Sequence, residues 1–513
     1  MSTTGAQLPL PQQRQAIQSL IESPLDVLII GGGIVGSGIA RDAAMRGLRA
    51  GLVEQHDFAF GTSSRSSRLL HGGLRYLAQG RLGLVRQASI EKKILHRIAP
   101  HLAEPLPFIF PAYRGNPDWV LWQLKIGVKI YDLLCGGRNL GQSTWLSPEA
   151  AAKKVPALKT DHLKGAVRYY DALTNDARLT LDTLRSAARS GGTMVSYCRF
   201  KNATRAELWK CELEDALTGK PITVNARTVV NATGPWAAGI PHSLVRLHLT
   251  KGVHLVVERS RVPVSETVVM TEGKRILFAI PWGERTILGT SDTDYQGSLD
   301  NVRAEAADIK YVLGVVNQFF PRANLSEADL LSTWAGLRPL IADTHGKPSE
   351  ISRSHEIRNP EPGWWDVAGG KLTTYRLMAE ETVDQVANRL KSLTGLKGKI
   401  ASCRTAQEPL LPPADTEGVS GILPPAFTRQ AVEHYVANEW AVHLDDVMVR
   451  RTNWQHYFPD ARARAAQVAE WMGALRGWSE TVRVAELQRY EEATGWRKER
   501  PVAGPKTSPV SRG

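Results

Sequence analysis

Residues 25–55 constrain this chain more than any other stretch. The apolar run Val27–Ile30 predicts a buried parallel strand, and it leads directly into Gly31-x-Gly33-x-x-Gly36. A helix is expected from there to about Gly47, then a short strand, Ala50–Val53, stopping at an acid, Glu54. Each part has a physical job. The glycines permit a tight turn and let the backbone approach a pyrophosphate; the helix offers its first N–H groups to the anion; the acid accepts from an adenosine ribose. A lone G-x-G-x-x-G recurs by chance, but strand, helix, second strand and acid together specify a dinucleotide-binding unit.

A length of 513 residues supports two or three domains. The apolar fraction of 42% and the charged fraction of 22% exclude wholesale disorder. Cys135, Cys198, Cys211 and Cys403 show no paired spacing, so neither a metal site nor a disulfide framework is expected, and a reducing cytoplasm fits. Residues 1–24 read as a polar extension with a short helix over Gln15–Glu22 and without the pattern of a secretory leader. The sequence holds no run of about twenty uncharged apolar residues that would span a bilayer. The net charge of +13 favours an acidic partner. No basic run is interleaved with aromatics, so nucleic acid ranks below an anionic substrate or lipid headgroups.

Further along, Gly83–Ala99 has helical periodicity closed by Pro100, and a second helix is expected from Asn175 to about Gly192. An antiparallel meander follows and ends in Ala232-Thr233-Gly234, where a strand closing on small residues lets the sheet edge approach a dinucleotide. From His248 to Leu288 the pattern is again β, and a helix over Ala304–Phe320 stops at Pro321. Residues 396–424 read as a linker, a helical segment runs to about Trp496, and the tail reads as disordered.

Three cations stand beside glycine turns. They are Arg75 in HGGLRY (His71–Tyr76), Arg338 in GLRP (Gly336–Pro339), and Lys371 in GGKLTTY (Gly369–Tyr375) at a helix start. A phosphomonoester needs such a set, because arginine supplies a bidentate fork and lysine a compact charge. Taken singly, each arginine reads as surface charge. Asp118–Cys135, with two tryptophans, many aliphatics and two lysines, reads equally as an amphipathic helix in a headgroup plane or as a core helix with snorkelling lysines.

The set RSSRLLHGGLRYL, VVNATGPWA, GVHLVV, ILGTSDTDY, GLRPL and GGKLTTYR, in order from Asp26 to Asn388, strongly resembles the FAD-dependent, respiratory glycerol-3-phosphate dehydrogenase family. VRRTNW at Val449–Trp454 is similar to the family's C-terminal domain, and the stretch before it is shorter than in well-known bacterial members. The resemblance implies an α/β fold: a glutathione-reductase-like FAD-binding domain (25–110, 165–245 and 345–395), a β-rich substrate domain (111–164 and 246–344), the 396–424 linker, a helical C-terminal cap (425–500) and a tail (501–513). It implies that Gly31, Gly33, Gly36 and Glu54 hold the adenosine diphosphate half of FAD. Thr62, Ser63, Ser66, Ser67, Gly72, Gly73, Ala232, Thr233, Gly234, Gly369, Gly370, Lys371 and Leu372 are implied around the rest of the cofactor. Arg75, Tyr76, Arg338, Lys371 and Thr374 are implied as substrate-binding residues.

The implied reaction oxidises sn-glycerol 3-phosphate to dihydroxyacetone phosphate. Hydride passes from C2 to flavin N5 while a base takes the hydroxyl proton, and Arg338 stabilises the developing alkoxide. His71 and His254 both match family positions for the base, and the sequence does not choose between them. Electrons are implied to go to ubiquinone or another membrane quinone, with the protein peripheral on the inner face of the cytoplasmic membrane and dimerisation through the cap. Three alternatives share parts of this pattern: an oxidase using O₂, an amine- or amino-acid-oxidising relative, and a catalytically silent flavin sensor.

Overall fold

A computed structural model describes residues 11–78, 80–136, 139–342, 355–394 and 400–495, apart from the side chains of residues 11, 12, 14, 75, 78 and 394. The expectations for residues 1–10, the 501–513 tail, part of the 345–395 segment and the side chain of Arg75 therefore lie outside the described residues.

The dinucleotide motif sits in an eight-stranded sheet. Leu25–Ile30 runs parallel to Ala50–Val53 on one side and to Pro221–Asn231 on the other. Trp364–Gly369 continues the parallel set beyond Pro221–Asn231, and Thr193–Val195 continues it beyond Ala50–Val53. Both faces are covered, which is why the first strand reads as a continuous apolar run. Val27 and Ile29 pack under the helices Ile34–Met45, Asp176–Arg189 and Tyr375–Thr394. Leu28 and Ile30 pack against the antiparallel meander of Cys198–Arg205 and Trp209–Asp215 and against Leu20 of the helix Pro11–Ile21.

A second, ten-stranded sheet is mostly antiparallel. Its centre is Leu247–Glu258, flanked by Arg285–Gly289 and by Leu330–Ile341. The helix Ala306–Phe319 covers one face, whereas Leu82–Ile98 and Leu121–Leu134 contribute to the core on the other. The expected domain boundaries and the sheets do not coincide. Glu104–Tyr113 and Leu163–Leu173 pair with each other and join this second sheet through Thr267 and Val268, although residues 104–110 and 165–173 were expected in the first domain.

The cap is a helical layer, Arg429–Asn438, Ala461–Arg476 and Glu480–Thr494, around Val432, Tyr435, Val447, Trp454, Val468 and Met472. The segment expected as a linker is docked in its described part. Arg41, buried in the Ile34–Met45 helix, donates to the carbonyls of Thr405, Glu408 and Pro409, and Leu410 N–H donates to Ile98 O. Three filled carbonyls on a buried guanidinium hold this strap against the first domain.

Candidate active site

A cavity of about 740 Å³ opens between the two sheets. Its walls come from the glycine turn, the loop of residues 60–67, the Ala232–Gly234 corner, the inner strands of the second sheet and the Gly369–Leu372 turn. Gly31 has a φ of 110°, and a Cβ there would stand 2.6 Å from the carbonyl oxygen of Ala232. A Cβ on Gly36 would collide with the carbonyl oxygen of Gly31, so helix and strand can meet only at a glycine. Gly33 caps the helix Ile34–Met45 without a side-chain hydrogen bond, and that positive helix end borders the cavity. Glu54 accepts from Gly32 N–H at 2.8 Å and His56 N–H at 2.9 Å, which fixes the carboxylate at the cavity wall.

The serine-rich loop ties the two sheets together. Ser63 Oγ accepts from Ile34 N–H (3.0 Å), and Thr62 Oγ1 donates to Leu337 O (2.6 Å). Ser66 N–H donates to Asp176 (2.8 Å), and Ser67 Oγ lies 2.8 Å from His254 Nε2. Opposite, Gly369 and Gly370 take φ values of 73° and 78°, reversing the chain at the cavity edge.

A side chamber of about 160 Å³ adjoins the main cavity and shares Ser67, Leu69, His71, Tyr76, Phe278 and Arg338 with it. Arg338 is aimed by Asp292 (3.0 Å) and Thr290 Oγ1 (3.0 Å), two residues of the ILGTSD stretch for which the sequence suggested no role. Lys371 Nζ lies 3.9 Å from the centroid of the Tyr76 ring. Thr373 Oγ1 accepts from His71 N–H at 3.0 Å, so the GGKLTT turn positions the HGG turn. His254 is 2% exposed, and Nδ1 has no hydrogen-bond partner among the described residues. Burial, and then the charges of Arg338 and Arg68, hold its pKa well below that of an ordinary histidine.

Most of the expected residues meet here. Gly31, Gly33, Glu54, Thr62, Ser63, Ser66, Ser67, His71, Tyr76, Ala232, Thr233, Gly234, His254, Arg338, Gly369, Gly370, Lys371 and Leu372 all line the main cavity, and Gly73 lines the side chamber. Gly36, Gly72 and Thr374 do not border either space. Gly36 acts through helix–strand packing. Gly72 donates from its N–H to Tyr131 OH (2.8 Å), and that hydroxyl leaves no room for a Cβ. Thr374 is buried, its hydroxyl donating to Lys371 O at 3.3 Å; its neighbour Thr373 makes the structural contact instead. Sequence reasoning missed Asp292, Thr290, Thr373, and Arg68 with Trp334.

Residues 26–385 match the family described as FAD dependent oxidoreductase, and residues 415–483 match the C-terminal domain of alpha-glycerophosphate oxidase. The chain belongs to the FAD-dependent oxidoreductases. Relatives include the aerobic glycerol-3-phosphate dehydrogenases of Staphylococcus epidermidis and Bacillus subtilis. The first is 39% identical over 398 residues, covering 76% of this chain and 71% of the relative. The second is 39% identical over 407 residues, covering 78% and 73%. The fold is similar to that of the glycerol-3-phosphate dehydrogenase of Bacillus halodurans complexed with FAD, with a TM-score of 0.72 at 28% identity over 94% of this chain and 97% of that one. The L-alpha-glycerophosphate oxidase of Mycoplasma pneumoniae shares the fold, with a TM-score of 0.58 at 17% identity over 71% of this chain and 95% of that one.

The family assignment bears out the resemblance, the fold class and the FAD cofactor expected from the motifs. The cradle of this flavoenzyme fits FAD on its own geometry. Two backbone crossings exclude a Cβ at Gly31 and Gly36, a helix N-terminus faces a space of dinucleotide size, and an acid borders that space.

Proposed function

We propose that this flavoenzyme oxidises sn-glycerol 3-phosphate to dihydroxyacetone phosphate and delivers the electrons to a membrane quinone. The observation that carries the reading is the convergence of Arg338, Lys371, Tyr76, His71 and His254 on one cavity beside a dinucleotide cradle. The names of the relatives agree with it. Bound FAD supplies the two-electron acceptor, at N5, for the hydride leaving C2. The protein's own part is to bind, aim and deprotonate. Arg338 offers a fork to the substrate's anionic end or to the developing alkoxide, and Lys371 offers a compact charge. Fixing the phosphate aims C2 and its hydroxyl. His254, neutral and 2.8 Å from Ser67, takes the hydroxyl proton through or beside that serine.

The helix Leu121–Leu134 supports contact with a lipid surface. Leu124, Val128 and Tyr131 face the core, while Trp122 (61% exposed), Ile126 (52%), Ile130 (38%) and Leu133 (72%) form an outward stripe. Trp145, 61% exposed, extends it, with Lys125 Nζ 4.1 Å from the centroid of its ring. Ile90 and Leu82 are exposed on the adjoining helix Leu82–Ile98. Tryptophans beside lysines suit a headgroup region with anionic lipid, and the net charge of +13 acts in the same direction. Among the described residues, no helix is long and apolar enough to cross a membrane. The cytoplasmic face of the membrane is part of this proposal, and the four free cysteines agree with it.

The deciding experiment mixes holoenzyme anaerobically with sn-glycerol 3-phosphate and follows the visible absorbance of the flavin. Bleaching that is slowed about tenfold or more in Arg338→Ala supports the reading, and a wild-type flavin left oxidised overturns it. Reoxidation by a quinone analogue faster than by air assigns the acceptor, and the reverse order makes the protein an oxidase. Vesicles containing anionic lipid should sediment the wild-type protein but not Ile126→Asp/Leu133→Asp. A self-associating variant-sensitive dimer in solution would instead give the stripe to a second copy.

A further inference from the structure

Arg68 is a buried cation that neither the dinucleotide cradle nor the phosphate-binding set uses. Its backbone is left-handed (φ 57°), its side chain is 0% exposed, and its guanidinium carbon lies 4.4 Å from the centroid of Trp282 and 4.8 Å from that of Trp334. Nη2 donates to Oδ1 of Asn453 in the cap at 2.5 Å, while Nε and Nη1 have no hydrogen-bond partner among the described residues. Asp176, the acid that faces it, is already occupied by the N–H groups of Ser66 and Ala177. A buried cation without a paired anion is a poor source of stability, which points to a role in the chemistry of its neighbours.

Those neighbours lead to the proton acceptor. Trp334 sits directly across the strand pair from His254, and the two rings stack with centroids 5.3 Å apart at 19°. The indole is held by a hydrogen bond from Nε1 to Ser66 O (3.1 Å) and is touched by His456 at 5.1 Å. Arg68, His254 and His456 therefore all contact one indole. On the other neighbouring strand the residue opposite His254 is Gly289, which carries no charge. Arg338 is the second cation acting on His254; Asp292 anchors Arg338, and His71 lines the same cavity.

We propose that Arg68 is a positioning residue for His254. Held by Asn453, it fixes the Trp334 plate on which the imidazole stacks, and its charge adds to burial and to Arg338 in favouring the neutral imidazole. The inference rests on the reading of His254 as the base. It gives the cap a part in catalysis, because Asn453 brings the helical layer to the far end of this chain of contacts. Asp176 offsets part of this charge, but the field of a buried cation reaches further than one screened by solvent, so a site one ring away feels it.

The test is the pH profile of kcat/KM for the FAD-loaded enzyme with sn-glycerol 3-phosphate, beside flavin content as a check on folding. In Arg68→Met the acidic limb should move up by about one pH unit, as expected for loss of a nearby like charge, with kcat falling more than KM rises. Arg68→Lys should return most of the shift, since it keeps the charge. If Arg68→Met does not fold, Asn453→Asp sets a carboxylate on the guanidinium at nearly constant size and should move the limb in the same direction. An unchanged limb in a folded, flavin-loaded Arg68→Met or Asn453→Asp enzyme overturns the proposal. His254→Gln separates the two levels. If that variant keeps the wild-type rate and limb, the base reading falls and the inference falls with it; if the limb is lost in His254→Gln yet unmoved by the Arg68 and Asn453 changes, only the inference falls.

Discussion

Ser67 Oγ and His254 Nε2 are joined at 2.8 Å across 187 positions of chain. The contact links the loop that follows the dinucleotide turn to the central strand of the second sheet, at the place where both border the cavity. A hydroxyl bonded to a neutral imidazole can accept a proton from the substrate as it gives its own to the ring, which leaves the imidazole as its cation.

Removing that hydroxyl should slow the chemical step more than binding. Ser67→Ala is expected to lower kcat by about 10²-fold, the low end for a positioned proton-transfer group, with KM changed little and flavin content unchanged. Steady-state rates and the flavin spectrum of the purified variant check this. Equal loss in KM alone would place Ser67 in substrate binding instead.

Two buried neutral histidines give stability a definite dependence on pH. His254 is held well below the usual histidine range, and burial, followed by Arg68 and Arg65, pushes His456 down to about 3. The unfolded chain binds a proton at each of these residues near pH 6.5 while the folded protein does not. Their contribution is therefore fully present above that pH and declines as pH falls, by about 1.4 kcal/mol per pH unit for each histidine. Unfolding temperatures between pH 8 and 5 should fall less steeply in His456→Gln than in the wild type.

The local part of this architecture was legible in the chain. The strand, glycine turn, helix and acid are contiguous, and each answers to residues next to it. The placement of Glu104–Tyr113 and Leu163–Leu173 was not legible, because their sheet membership depends on pairing with a segment far along the chain, at Thr267 and Val268. The strap at 400–424 reads as a linker for a similar reason: its glycines and prolines are local signals, whereas the Arg41 that binds its carbonyls is remote in sequence. Thr373 and Thr374 differ by one position in a single-turn helix, Leu372–Thr374, and which hydroxyl points at the HGG turn depends on that turn's rotation. Arg68 beside polar serines looks like surface charge until the two tryptophans that enclose it are in place.

Cofactor retention provides a separate check on the cradle. Gly36→Ala puts a methyl group against the carbonyl oxygen of Gly31, a backbone atom that cannot swing aside. The turn must open, and the helix end then leaves the anion. The variant is expected to purify with little flavin and a lowered unfolding temperature, read from the ratio of flavin to protein absorbance. Gly83→Ala, where no atom stands within 4 Å of an added Cβ, is the matched control and should keep its flavin.

Arg338 should report on charge and shape separately. Its guanidinium is held by Asp292 and Thr290 with its side chain 24% exposed to the cavity side. Loss of a charge-assisted contact costs about 1.5–3 kcal/mol, so Arg338→Ala is expected to lose roughly 10- to 150-fold in kcat/KM. Arg338→Lys keeps the charge but not the fork and should recover only part of that loss. Asp292→Asn leaves the cation in place with a weaker anchor, and its effect should fall between wild type and Arg338→Lys.

The cap is fastened to the dinucleotide domain by a buried ionic cluster whose removal should loosen the whole assembly. Asp57, 0% exposed, accepts from Arg450 Nε and Arg451 Nη1; Arg450 also donates to Asp445 (2.7 Å) and Asp446 (2.5 Å). The neighbouring pair of Arg178 with Glu439 (2.5 and 2.9 Å) repeats the arrangement from the helix Asp176–Arg189. Such clusters contribute little net stability over an apolar replacement, yet breaking one side costs about 3–5 kcal/mol because the remaining charge stays buried. Arg451→Met should therefore unfold at lower denaturant and expose the strap near residues 400–424 to protease. Asp57→Asn/Arg451→Met removes both charges of the pair and should be less destabilised than the sum of its two single variants. Strict additivity in that cycle would mean that Asp57 and Arg451 do not act as a pair across the interface between the domain and its cap.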